Sequence, residues 1–120
     1  MQNLEQIRAA AALQVAEQTT KADVNKLPAM IITNGFLAAA AFANEDAGQK
    51  RPGMATVMDG AARHLANPIH GLTILAKIKN ATDMILALSD RASSSELQRA
   101  TAEALAFIGY VKRFARKGED

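Results

Sequence analysis

The chain has 120 residues, almost half of them apolar but only 4% aromatic, and a formal net charge of +2. That length supports one domain with its own core, the lack of cysteine excludes disulfides and thiol chemistry, and no apolar run approaches the roughly 20 residues that span a bilayer. Met1-Gln2-Asn3-Leu4-Glu5 lacks the basic-then-apolar layout of a secretory signal, so a cytoplasmic protein is expected, and so small a net charge implies no polyanion unless the cations cluster.

Ala-rich stretches with apolar residues at helical spacing dominate, and no strand alternation of useful length occurs. The first helix is expected from about Asn3 to Lys21, with Asn3 as N-cap and Leu4, Ile7, Ala11 and Val15 on one face. Its other faces are polar, which places it on the surface. The second starts at Leu27-Pro28, where a proline suits the first turn. From Ala29 to Ala43 it is apolar all round, the pattern of a central helix. The helix is read as continuing through Asn34-Gly35, with Gly35 and Ala39 admitting a close neighbour; a break at Asn34 is the alternative.

Asn44 to Gly53 is polar, punctuated by Gly and Pro, and reads as a loop. A helix from about Met54 to Ala66 follows, and Asn67-Pro68 reads as the cap and first turn of another reaching about Lys79. A short helix is expected from Thr82 or Asp83 to Arg91. Ser93 and Glu96 have capping-box spacing and open the last helix, which should reach about Lys117. Its core stripe comprises Leu97, Ala100, Ala104, Phe107, Ile108, Val111, Phe114 and Ala115. The expected fold is therefore all-α, a single compact helical bundle of about five to six helices over residues 1–120. It has a loop near 44–53 and a short charged tail at 117–120.

Chemistry is hard to find in this chain. His64 and His70 lie six residues apart across Pro68, whereas a helical metal pair needs i,i+3 or i,i+4 spacing and further ligands. Surface or capping histidines and no metal are the expectation. Ser93-Ser94-Ser95 has no nucleophile elbow around it and is better read as a helix cap. Glu45-Asp46 and Glu119-Asp120 read as solvated charges. No phosphate-binding loop, dinucleotide fingerprint or His-Glu-x-x-His motif occurs, so no catalytic residue and no cofactor are expected.

One constellation stands out. Lys112, Arg113, Arg116 and Lys117 crowd the end of the last helix without an acidic neighbour. They cover roughly 140° of the face opposite the apolar stripe. A basic helix end also suits the macrodipole, but Arg99, in line with Lys117 several turns earlier, extends the stripe beyond that effect. Ala102, Ala106 and Gly109 lie between them and leave room for a partner's backbone. With no Trp and one Tyr, and Phe107 and Phe114 assigned inward, any RNA contact should be to phosphates, independent of sequence and sensitive to salt.

Three segments in order carry a resemblance. They are Asn3-Leu4-Glu5-Gln6-Ile7-Arg8-Ala9, then Lys26-Leu27-Pro28-Ala29-Met30-Ile31-Ile32-Thr33-Asn34-Gly35-Phe36, then Glu103-Ala104-Leu105-Ala106-Phe107-Ile108-Gly109-Tyr110-Val111-Lys112-Arg113-Phe114-Ala115. Together they resemble the small subunit of type III-B (Cmr-type) CRISPR–Cas RNA-targeting effector complexes. The match is much weaker from Asn44 to Asp90, and Tyr110 stands where the family pattern often has Trp. The resemblance implies a helical, non-enzymatic protein that stacks with copies of itself beside the subunits holding the guide RNA, and that helps hold target RNA along the guide. Its partners would be other effector subunits and the target and guide RNA, with no membrane. Arg8, Lys112 and Arg113 fall in matching segments, with Arg116 directly after the last of them, and all four are candidate RNA or subunit contacts; Lys26 matches too, at a helix start. Arg99 and Lys117 join them from the basic stripe alone, and Lys50, Arg51, Lys77 and Lys79 rank lower. Two other readings remain open at this point: a helical protein–protein adaptor or regulator with no RNA role, and a small ligand binder built on Thr33-Asn34-Gly35.

Overall fold

The computed structural model describes residues 2–46 and 52–116. Among these residues seven α-helices follow one another: α1 (Leu4–Ala16), α2 (Lys21–Val24), α3 (Leu27–Asn34), α4 (Phe36–Asp46), α5 (Pro52–Leu65), α6 (Ala81–Asp90) and α7 (Ser94–Phe114). Two 3-10 turns, Pro68–His70 and Thr73–Leu75, lie between α5 and α6. No helix among the described residues is long and apolar enough to cross a membrane.

Local chemistry explains most of the boundaries. Asn3 caps α1, accepting from the Gln6 amide at 2.9 Å while the Gln6 side chain accepts from the Asn3 amide. Ser93 and Glu96 form the same reciprocal box at the start of α7, at 3.1 and 2.8 Å. Thr20 restarts the chain as the cap of α2, so the first helix ends at Ala16 and does not reach Lys21. The α6 start is capped by Asn80 and tied down by Asp59, whose Oδ1 accepts from the Ala81 amide at 2.8 Å.

Further expectations are corrected. The chain breaks at Gly35, which adopts φ 96° and ψ 156°, a conformation nearly confined to glycine. Gly35 is there for its backbone; a Cβ at this position would meet nothing within 4 Å. The segment after Pro68 closes only 3-10 turns, because Gly71 turns left-handed at φ 68° directly after the first of them. Asn44–Asp46 and Pro52-Gly53 are helical, which shortens the expected loop; residues 47–51, with Lys50 and Arg51, lie outside the described residues, as does the tail from Lys117. Finally, α3 is not central, since Ile32 is 74% exposed.

The central helix is α5, with nine of its 14 residues buried. It packs against α1, α2, α4, α6 and α7. Small residues permit this. A Cβ on Gly60 would overlap the Val15 side chain of α1, and one on Gly53 would crowd Thr19 Oγ1 and Asp23. Buried Met54, Met58 and Met84 fill the core between the elements that carry them. On α7 the stripe faces inward as expected through Ala100, Ala104, Phe107, Ile108 and Val111, but Phe114 is 39% exposed. It is the last helical residue, and the chain leaves α7 through extended Ala115.

Candidate nucleic-acid interface

The end of α7 is where the fold gathers open cations. Lys112 and Arg113 occupy its last turn, and both side chains are exposed. The chain then swings back to α2, where the Lys21 amide donates to the Arg116 carbonyl at 2.9 Å and an isolated bridge pairs Thr20 with Arg116. Lys21 Nζ reaches the carbonyls of Lys112 and Arg113, at 3.0 and 3.3 Å. These carbonyls lack intrahelical partners, and a cation is favoured at the negative end of the helix dipole. Lys21 therefore closes the helix and adds its charge to the ridge. Its place there was missed from sequence; the Thr20 cap that aims it was the available signal. Among the described residues, no carboxylate lies within 4.0 Å of Lys112, Arg113 or Arg116. Beside Arg116, a cleft of about 200 Å³ is lined by Leu13, Ala16, Glu17 and the half-exposed Phe114 ring.

The other expected contacts separate from this ridge. Arg8 is turned inward: its Nε and Nη2 donate to the two carboxylate oxygens of Glu103, at 2.7 and 2.8 Å, and its side chain is 18% exposed. With Nε and Nη2 both engaged by one carboxylate, Arg8 ties α1 to α7. Arg99 Nη2 donates to the His70 carbonyl at 2.7 Å, which tethers it to the turn after α5. It sits 13 residues before Lys112, about 20 Å along the helix axis, and so belongs to a different part of the surface. Lys26 is exposed beside the first turn of α3. Lys117 lies outside the described residues. Lys77 and Lys79 are exposed between the second 3-10 turn and α6.

Glu103 is the hub of a buried polar node. His64, expected at the surface, is 4% exposed, and its Nε2 donates to Glu103 Oε2 at 2.8 Å. The His64 ring stacks on Phe107 at 5.0 Å between centroids and meets the His70 ring edge-on at 4.5 Å. Burial pushes the Glu103 carboxyl up, but the hydrogen bonds from Arg8 and His64 outweigh it and hold the group below the usual carboxylate range. Burial, followed by the neighbouring His64, holds the His70 ring below the usual imidazole value. Tyr110 extends the α1–α7 seam outward: its hydroxyl donates to Glu5 Oε2 at 2.8 Å, and the Arg8 guanidinium lies 5.9 Å from its ring centre.

Near the Gly35 break, an apolar groove of about 560 Å³ runs between the α3–α4 elbow and the first half of α7. Phe36, Leu37, Leu97 and Leu105 line it, with Asn34, Gln98 and Thr101 as the polar side chains. The Thr101 hydroxyl is engaged with the Leu97 carbonyl at 2.8 Å.

Fold and surface together define a small all-α chain that turns cations and apolar patches outward, the architecture of an interaction module. The family follows from the sequence itself. The profile of the family described as CRISPR-associated protein (Cas_Cmr5) matches residues 2–117, and the chain belongs to that family. It is thus a small subunit of type III-B CRISPR effector complexes, and it associates with other subunits of the Cmr type. No curated protein and no solved structure matches the chain.

Proposed function

We propose that this chain is a non-catalytic cytoplasmic subunit that stacks with copies of itself and holds target RNA along the guide through sequence-independent contacts to the phosphate backbone. The observation that carries this reading is the open end of α7, where Lys112, Arg113 and Arg116 are exposed without a carboxylate partner among the described residues, with Lys21 beside them. In an RNA-guided complex, pairing with the guide reads the sequence, so an accessory subunit needs only to attract the backbone. Cations on phosphates release condensed counterions, a contribution that falls steeply with salt. The aromatic supply is small: Phe36 and Phe107 are buried, Phe42 is exposed on α4, and beside the ridge stand Phe114 and Tyr110, engaged edge-on with each other. Exposed Ile32 and Leu86, and the groove at the α3–α4 elbow, supply apolar surface for neighbouring subunits.

The test is charge reversal in the assembled complex. With Lys112, Arg113 and Arg116 all replaced by Glu, the complex should still assemble but lose most of its retention of target RNA. Undiminished retention would rule out the ridge as the RNA contact. A chain that keeps its partners after ribonuclease treatment, and whose charge reversal releases a protein without affecting RNA, would instead be a helical adaptor.

A further inference from the structure

His64, His70 and Glu103 converge from three elements: α5, the 3-10 turn after it, and α7. One ligand-type atom from each lies within 4.8 Å of the other two. His70 Nε2 is enclosed yet has no hydrogen-bond partner among the described residues, and buried nitrogens are seldom left in that state. The His70 ring interacts favourably with the His64 main chain when protonated there, while Nε2 has no partner. The tautomer with its proton on Nδ1 leaves the Nε2 lone pair free to take a ligand.

We propose that His64, His70 and Glu103 form a binding site for one divalent transition-metal cation of the zinc class. Two imidazole nitrogens and one carboxylate oxygen are the donor set such borderline ions take, with a water completing four-coordination. Metal–nitrogen bonds of about 2.0–2.1 Å place neighbouring ligands of a tetrahedral ion about 3.3 Å apart. His64 Nε2 and Glu103 Oε2, now 2.8 Å apart across a shared proton, need to separate by about half an ångström on that geometry. The His70 ring, on a short turn, swings inward to close the set. As the ion enters, the His64 Nε2 proton is released to water and Nδ1 takes one up in exchange, so the ring stays a neutral imidazole, and His70 Nε2 gains the partner it lacks. A cleft of about 310 Å³ between α1 and α5 reaches His64 and supplies a path. Arg8 is the outer partner: it holds both Glu103 oxygens and fixes the carboxylate, with Oε2 shared between Arg8 Nε and the histidine side. Its positive charge weakens cation binding, so an affinity below that of a thiolate zinc site is expected. The ion would pin α5, the turn and α7 to one another.

The experiment is calorimetric titration of the tag-free full chain with Zn²⁺ in chelator-free buffer. One ion per chain is expected. His70→Gln, whose ring is only half-buried on a surface turn, should fold normally by circular dichroism and lose more than the about 10- to 100-fold in affinity that an outer-shell substitution costs. No binding by the wild type, or an isotherm unchanged in His70→Gln, overturns the proposal. Imidazole ¹⁵N spectra of the wild type give a readout free of folding effects. Zn²⁺ should shift the Nε2 resonances of both histidines, and spectra without that shift overturn the site even if Zn²⁺ binds elsewhere.

Discussion

The two ends of the α1–α7 seam use cations in opposite ways. Near the middle of α7, Arg8 is gripped through Nε and Nη2 by Glu103, which also holds buried His64. At its end, Lys112, Arg113 and Arg116 face outward with no carboxylate within reach among the described residues. In sequence the four look alike, as basic residues in or beside segments that resemble one family. The structure separates them by what lies opposite. A cation with a partly buried carboxylate partner stabilises the fold, whereas a cation left without one keeps its field for something else.

The sharpest way to break this contrast is at the hub. Glu103→Ala leaves Arg8 and His64 without their partner, and should lower stability by roughly 2–3 kcal/mol in urea unfolding. Charge removal at Lys112, Arg113 and Arg116 should stay within about 1 kcal/mol, since it costs chiefly the interaction with the helix dipole. Equal losses in the two experiments would erase the distinction between the regions.

Two glycines sharpen the frame that holds these regions in place. Gly60→Ala should cost about 1–3 kcal/mol, because the added methyl meets Val15 at the α1–α5 crossing. Adding Val15→Ala should recover part of that loss. Gly35→Ala should cost about 1–2 kcal/mol with no second-site rescue, because the penalty lies in the positive φ and no side chain is near. Thermal melts of the three variants check both statements.

A smaller effect than at the hub or the glycines is expected at the other end of α7. Ser93→Ala should cost about 1 kcal/mol through loss of the cap. Hydrogen bonds from Ser93, with a further contribution from Arg99, hold the Glu96 carboxyl below its ordinary value. A carboxyl depressed in the folded state adds stability above its unfolded pKa and loses it as pH falls through the folded one. Ser93→Ala removes the side-chain part of this and keeps the larger main-chain part, so the acid limb of the stability profile should flatten only slightly. Urea midpoints measured from neutral to acidic pH would reveal it.

The parts of this fold that were legible in the sequence are the local ones. Asn3, Ser93 and Glu96 announce their caps, and the inward stripe of α7 from Ala100 to Val111 follows from periodicity. The central role of α5 was hidden, because Asp59, Arg63 and His64 interrupt its apolar pattern while each serves a partner elsewhere. The Asn34-Gly35 pair was visible as a turn signal, but its apolar flanks favoured one continuous helix. The Glu103 node could not be read from spacing at all: its links span 95 residues to Arg8 and 39 to His64. The basic end of α7 was legible as composition, yet its openness, and the inward turn of Arg8, are facts of packing.

The most direct measurement is the affinity of the assembled complex for target RNA across a salt series, for the wild type and for Lys112→Ala/Arg113→Ala/Arg116→Ala. If the ridge grips phosphates, the variant binds more weakly. Its plot of log affinity against log salt should also be shallower by about 2–3, at roughly 0.7–0.9 for each of the three lost cations. Two coincident lines of equal slope would contradict the account.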